Sequence, residues 1–319
     1  RRPHRSFRLT KRRDYNRSLK LVGYWSFTFT VLGLIKANKK LFLLLGLVYV
    51  IISVLLLGIG SQDTFTELQA AINQTGQEVF QGNWGDVGTA ALLTVSTITG
   101  SISPTLTEVQ QVFAVLLGLP VWLTTVWLLR QRMAGHVVRL RDGLYNAGAP
   151  IVATSIVFLV LVLQLLPIGL AMVGYAAAQS TGLLSGGVEA MLFWAATGGL
   201  AALSLYWITS SAVALVVVTL PGMYPFRALK IAGDMVVGRR LRILYRILWM
   251  IFMLVLFWVV ILIPIILIDI GLKNLWPAIQ WLPVIPVVMT ILSTISLIWI
   301  ATYVYVLYRK IVDDDASPA

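Results

Sequence analysis

Pro225-Phe226-Arg227-Ala228-Leu229-Lys230-Ile231-Ala232-Gly233-Asp234-Met235-Val236, continuing through Val237-Gly238-Arg239-Arg240-Leu241-Arg242, leads past Arg246 into 22 residues, Ile247 to Ile268, without one ionisable group. Phe226, Leu229, Ala232, Gly233 and Val236 recur at helical spacing, with Arg227, Lys230 and Asp234 on the other side. That spacing predicts an amphipathic helix. At a rise of about 1.5 Å per residue, the apolar run is long enough to cross a hydrocarbon core of about 30 Å. A basic surface helix feeding a membrane span is therefore the unit to seek elsewhere in the chain.

The composition supports that search. The 319 residues are 58% hydrophobic and only 12% charged, with a mean hydropathy of +0.86. Soluble globular domains carry about 25% charged residues, so the expected class is an all-α polytopic membrane bundle. There is no Cys, which excludes disulfides, thiolate metal sites and cysteine nucleophiles.

The net charge of +12 raises the question of nucleic acid, and the placement of the cations answers it. Residues 1–40 hold 12 Lys and Arg, 130–142 hold four, 221–246 hold six and 309–310 hold two, leaving Lys273 alone in an opposite-side loop. These four basic segments fall on one side of the membrane once the spans are placed. By the positive-inside rule this puts both termini in the cytoplasm of a multi-pass plasma (inner) membrane protein. Topology accounts for the charge, so nucleic acid is not an expected partner. Anionic lipid headgroups are, through Arg227, Lys230, Arg239, Arg240 and Arg242.

Six spans follow, at about 41–60, 109–129, 151–177, 190–220, 247–268 and 282–307. Residues 1–26 read as a basic cytoplasmic tail, 27–311 as a single membrane domain and 312–319 as an acidic disordered tail. The apolar, aromatic segment 21–35 is short for a span and is expected to lie at the interface. The long polar segment 61–107 has Asp63, Glu67, Glu78 and Asp86 and no Lys or Arg, as an outer loop would. It is expected to hold a short amphipathic helix and, at 88–100, a surface or re-entrant piece. Short connections after the third and fifth spans imply antiparallel hairpins. Trp276, Trp281, Tyr303, Tyr305 and Tyr308 are placed for an interfacial aromatic belt.

The chain also resembles itself. Gly33, Gly143 and Gly233 each stand five residues before Asn38, Gly148 and Gly238, ahead of the odd-numbered spans. Inside the even-numbered spans stand Trp122-Leu123-Thr124-Thr125, Trp207-Ile208-Thr209-Ser210 and Trp299-Ile300-Ala301-Thr302. From repeat Gly to repeat Trp is 89, 64 and 66 residues, the surplus in the first copy matching its longer outer loop. Three copies of one unit are expected, at about 27–133, 137–222 and 227–311: amphipathic helix, span, outer turn, span. Trp122, Thr124, Trp207, Thr209, Trp299 and Thr302 are then packing positions, or, in the rival reading, a ligand site.

Intramembrane catalysis or ion coupling needs ionisable groups in the hydrocarbon, and the spans contain none. Glu108, Glu189 and Asp269 fall at outer ends, Arg130, Arg246 and Arg309 at inner ends. His4 and His136 lack a second ligand at metal-binding spacing, so neither a metal nor a cofactor is expected. Gln164, three residues before Pro167, is the most polar mid-span side chain. It is expected to bond across to another helix, or to a carbonyl that the proline frees.

The run Pro225 to Lys230, followed by Gly238-Arg239-Arg240-Leu241-Arg242-Ile243-Leu244 entering a span, resembles bacterial six-span proteins grouped with the glycerophosphodiester phosphodiesterase membrane domain. The ending Tyr305-Val306-Leu307-Tyr308-Arg309 is similar too, while Ile231 and Ala232 replace the serine usual after the Ala-Leu-Lys triplet. The resemblance covers about 45 residues. It implies a bacterial inner-membrane protein without intrinsic catalysis and carries over no functional residue. The leading expectation is a non-enzymatic scaffold or envelope-assembly and homeostasis component with a membrane or envelope protein partner. The alternative is a transporter or permease subunit for an apolar or neutral solute, its path lined by Ser155, Gln164, Thr197, Ser204, Thr209, Ser293 and Thr294. An enzyme acting on lipid headgroups would have to draw on Asp63, Glu67, Glu78, Asp86 or His136.

Overall fold

The computed structural model describes residues 21–57, 108–180, 186–276 and 284–316. The tail 1–20, the expected outer loop 61–107 with its amphipathic and re-entrant pieces, Trp281 and residues 317–319 lie outside them. The described residues form helices and no strand: α1 (Tyr24–Ala37), α2 (Lys39–Leu57), α3 (Glu108–Met133), α4 (Leu140–Ala147), α5 (Ile151–Ser180), α6 (Val188–Val217), α7 (Pro225–Val236), α8 (Arg240–Leu275) and α9 (Val284–Ala316). A shorter helix followed by two longer ones occurs three times in this order.

The breaks between each shorter helix and its successor fall at Asn38, Gly148 and Gly238. Only at Gly238 is the reason glycine itself. Val237 turns extended and Gly238 takes φ +81°, a left-handed conformation that a Cβ disfavours, and α8 restarts immediately beyond. At the first break α1 meets α2 at 82°, and the Asn38 side chain donates back to the Leu34 carbonyl (3.0 Å).

Four helices, α5, α6, α8 and α9, are each long and apolar enough to cross a membrane, and the bent pair α1–α2 makes a fifth candidate. A multi-pass membrane protein fits these lengths. The expected second span, on α3, is not among the five.

The chain divides into two compact units. The first takes residues 1–30, 148–249 and 303–319. Its centre is the α5–α6 hairpin, with α7 against both helices. Ser211 of α6 donates to the Gln164 amide oxygen of α5 at 2.6 Å, so Gln164 bonds across to a neighbouring helix. Toward the core, α7 presents Ala228, Ala232 and Val236, all fully buried. This corrects the expected apolar face, since Phe226 is 74% exposed and the buried stripe begins two residues later. Alanines let α7 approach closely, which a phenylalanine at the contact would prevent.

The second unit takes residues 31–147 and 250–302, and here α3 packs on α2 and α4. Small residues again set the closest approaches. A Cβ on Gly143 of α4 would lie 3.1 Å from Thr124 and Leu128 of α3, and one on Gly46 of α2 would lie 3.4 Å from Thr294 of α9. Trp258 of α8, fully buried, donates its indole N–H to Ser296 of α9 at 2.8 Å. The three repeat glycines do not share an environment: Gly143 is buried, Gly233 half-buried and Gly33 exposed.

Three expectations are corrected at the helix ends. Helix α9 continues to Ala316, through most of the stretch read as a disordered acidic tail, because the apolar register of Tyr303 to Ile311 carries the helix on. Tyr303 and Tyr305 are buried core residues and not part of an aromatic belt. Lys273 is not alone in a loop: α8 extends to Leu275, and Lys273 pairs at 2.8 Å with Asp269 one turn earlier, itself buried.

Candidate functional site at the basic ends of α7 and α8

Basic side chains gather where α7 ends and α8 begins, and burial sorts them. Arg227, Lys230 and Arg242 are exposed. Arg240 is half-buried, its guanidinium 3.9 Å above the Tyr206 ring while Nη1 donates to the Tyr206 carbonyl at 3.0 Å. Arg239 is 2% exposed and its Nε donates to the Met235 carbonyl at 2.8 Å. It is therefore a buried end-group of α7, which corrects its place among the residues reaching for headgroups.

The Tyr206 carbonyl accepts twice. Thr209 donates to the same oxygen at 2.7 Å, and Ser210 to the Trp207 carbonyl at 2.9 Å. Hydroxyls bonding the preceding turn compete with the helix's own ladder and bend it. The motif Trp207-Ile208-Thr209-Ser210 is thus a polar joint to which Arg240 attaches. Its counterparts differ. Thr302 donates to its own helix at the Ile298 carbonyl (2.7 Å), and Thr124 is fully buried with its methyl against Gly143. Trp122 and Trp299 are buried in the second unit, whereas Trp207 of the first is 37% exposed. The three tryptophans do not repeat one environment, as a ligand site built from equivalent copies would require.

The residue that sequence reasoning missed is Arg246. It is 5% exposed, inside α8, and among the described residues no carboxylate pairs with it. Its guanidinium donates through Nη2 to the carbonyl of Val22, just before α1. It lies 4.1 Å over the Tyr24 ring and 5.4 Å over Phe27. The Tyr303 hydroxyl is beside it, and among the described residues Nη1 meets no acceptor in hydrogen-bond geometry. Around it, Trp249 donates to Thr28 at 3.1 Å and takes Trp25 edge-on at 5.2 Å, while Phe27 stands edge-on to Tyr303 at 4.8 Å. Desolvating a guanidinium is expensive. Ring faces offset that cost, each contributing about 2 kcal/mol when water is excluded.

Neither the second histidine nor the acids form a chemical centre. His136 is exposed, and among the described residues no group of three or more His, Asp or Glu is placed to hold a metal. What the arrangement can do is hold anions and fix helices: exposed cations on α7 and α8, and beneath them a buried cation tying α1 to α8. No family model matches the chain, and neither does any curated protein or any solved structure.

Proposed function

We propose that this chain is a non-enzymatic six-span protein of a bacterial inner membrane, with both termini cytoplasmic. It is built from three copies of a surface helix and two spans, and it scaffolds a membrane or envelope partner. One observation carries the membrane part: the more apolar of the long helices, α5 and α8, are the less buried. That order suits an apolar surrounding and not water. The order shorter, longer, longer and the equivalent breaks at Asn38, Gly148 and Gly238 support three copies. The likeness of Pro225–Leu244 to the membrane-domain group named above supports the bacterial setting. Arg227, Lys230 and Arg242 are the contacts offered to anionic headgroups. The scaffold reading rests on extended surface elements joined to spans without a reactive group. Its test is a crosslinked pull-down from native membranes beside a chain lacking 61–107: one stoichiometric partner, lost with the loop, is expected, and recovery alone would reject it.

Passage of a neutral solute is the second reading, favoured by the buried hydroxyls of Thr124, Thr125 and Ser204, which meet no hydrogen-bond partner among the described residues. Against it, Ser155 and Thr294 donate to their own helices and Gln164 is engaged by Ser211, which leaves few groups to line a path. Solute flux in proteoliposomes, abolished by Thr124→Val, would establish it in place of the first.

A further inference from the structure

Helix α1 has two faces of opposite character. Phe27, Thr28 and Val31 are buried. Trp25, 56% exposed, and Phe29, 64% exposed, stand one turn apart on the other side, their rings 6.4 Å from each other. Leu32 and Lys36 continue that stripe at helical spacing, ending it in a cation. The hydroxyls along the helix do not ask for water. Thr28 donates to the Tyr24 carbonyl at 3.0 Å and Thr30 to the Ser26 carbonyl at 2.8 Å. An outward face of rings and leucine, threonine hydroxyls bonded to the helix's own carbonyls and a basic end describe a helix lying at the headgroup and acyl boundary. The 82° bend into α2 is what an in-plane helix needs before a span.

Beneath this helix sits Arg246. Among the described residues this buried cation has no carboxylate, and besides the Tyr303 hydroxyl it has three holders: the Val22 carbonyl, the Tyr24 ring and the Phe27 ring. All three belong to the chain just before α1 or to its first turn. The guanidinium is planar and can stack on both rings while bonding the carbonyl, a combination an ammonium cannot reproduce.

We propose that Arg246 is the anchor that fixes the first turns of α1 to α8, holding the helix in the plane of the membrane boundary with lipid covering its Trp25–Phe29 face. This rests on the membrane-spanning reading above and adds to it a positioning residue and the occupant of one surface. The absence of cysteine makes the test clean. Single cysteines at Phe29→Cys and, as a mid-span control, Leu163→Cys are labelled with an environment-sensitive fluorophore in vesicles of zwitterionic and anionic phospholipid. Quenching by a nitroxide lipid is then compared with quenching by aqueous iodide.

Both labels are expected to be quenched by lipid and protected from iodide. With Arg246→Gln, the label at 29 should lose its lipid quenching and gain iodide quenching and mobility, while the label at 163 stays unchanged and reports an intact fold. Arg246→Lys, which keeps the charge and loses the stacking, should reproduce most of that change. A control at 163 without lipid quenching would overturn the membrane reading itself. With the control quenched, a label at 29 open to iodide, or shielded from both quenchers by protein, would overturn lipid as the occupant. An unchanged label at 29 in Arg246→Gln would overturn the anchor.

Discussion

Helices α5 and α8 meet their surroundings differently from helices α6 and α9. Of the most apolar stretch of each, 11% is buried in α5 and 12% in α8, against 44% in α6 and 56% in α9. The exposed pair is the more apolar one. In water this order would be reversed, because apolar surface is driven inside. In lipid, tails are as apolar as leucine, so the outermost helices can be the greasiest and the buried ones carry the small and polar residues that let helices meet. Accordingly α9 buries Thr290, Thr294, Ser296, Ala301 and Thr302. Helix α5 exposes Leu159, Leu163, Leu166 and Leu170.

The contrast breaks if mutations on the two kinds of surface cost the same. The largest loss is expected where an exposed helix makes a deep contact. Trp258→Ala in α8 empties a fully buried site and leaves Ser296 without its donor, costing about 3–5 kcal/mol in unfolding from mixed micelles. Next comes Leu163→Arg, a charge on the exposed mid-span face of α5, at about 3 kcal/mol, read as lost membrane insertion. No insertion defect there would remove lipid as the surroundings of α5. Gln164→Leu, one residue away but facing α6, should cost about 1 kcal/mol by losing the Ser211 bond. Leu163→Ala should change stability by less than about 0.5 kcal/mol. A cost comparable to that of Trp258→Ala would place α5 against protein.

The helices, and the breaks between them, were legible in the sequence because they rest on local rules. Apolar run length, proline at the start of α7 and glycine at its end need no knowledge of the rest of the chain. The faces were not legible, because they depend on the partner. Phe226 and Ala228 are equally compatible with an apolar helix face, and only the close approach of α6 selects alanine. Arg246 looked like an ordinary inner-end cation. Its partners lie 219 to 224 residues earlier, at Phe27, Tyr24 and Val22, and no local spacing reports them. The Asp269–Lys273 pair was within reach: an i, i+4 acid–base spacing is a helix signal, and it argued for extending α8 beyond Ile268. Of the basic residues expected at lipid headgroups, Arg227, Lys230 and Arg242 are exposed. Arg239 turned inward, because the C-terminus of α7 supplies an unpaired carbonyl at Met235, and Arg240 was taken up by the ring and carbonyl of Tyr206 inside α6.

The central claim is six crossings with the basic segments on one side, and it turns on α3, the helix outside the five candidates. Single cysteines at Asp86→Cys, before α3, and Asp142→Cys, after it, would be tested in intact cells with a membrane-impermeant thiol reagent, then again after permeabilisation. The account predicts that the residue-86 cysteine labels at once and the residue-142 cysteine only after permeabilisation. Labelling of both in intact cells would keep α3 on one side of the membrane and contradict the six-span arrangement.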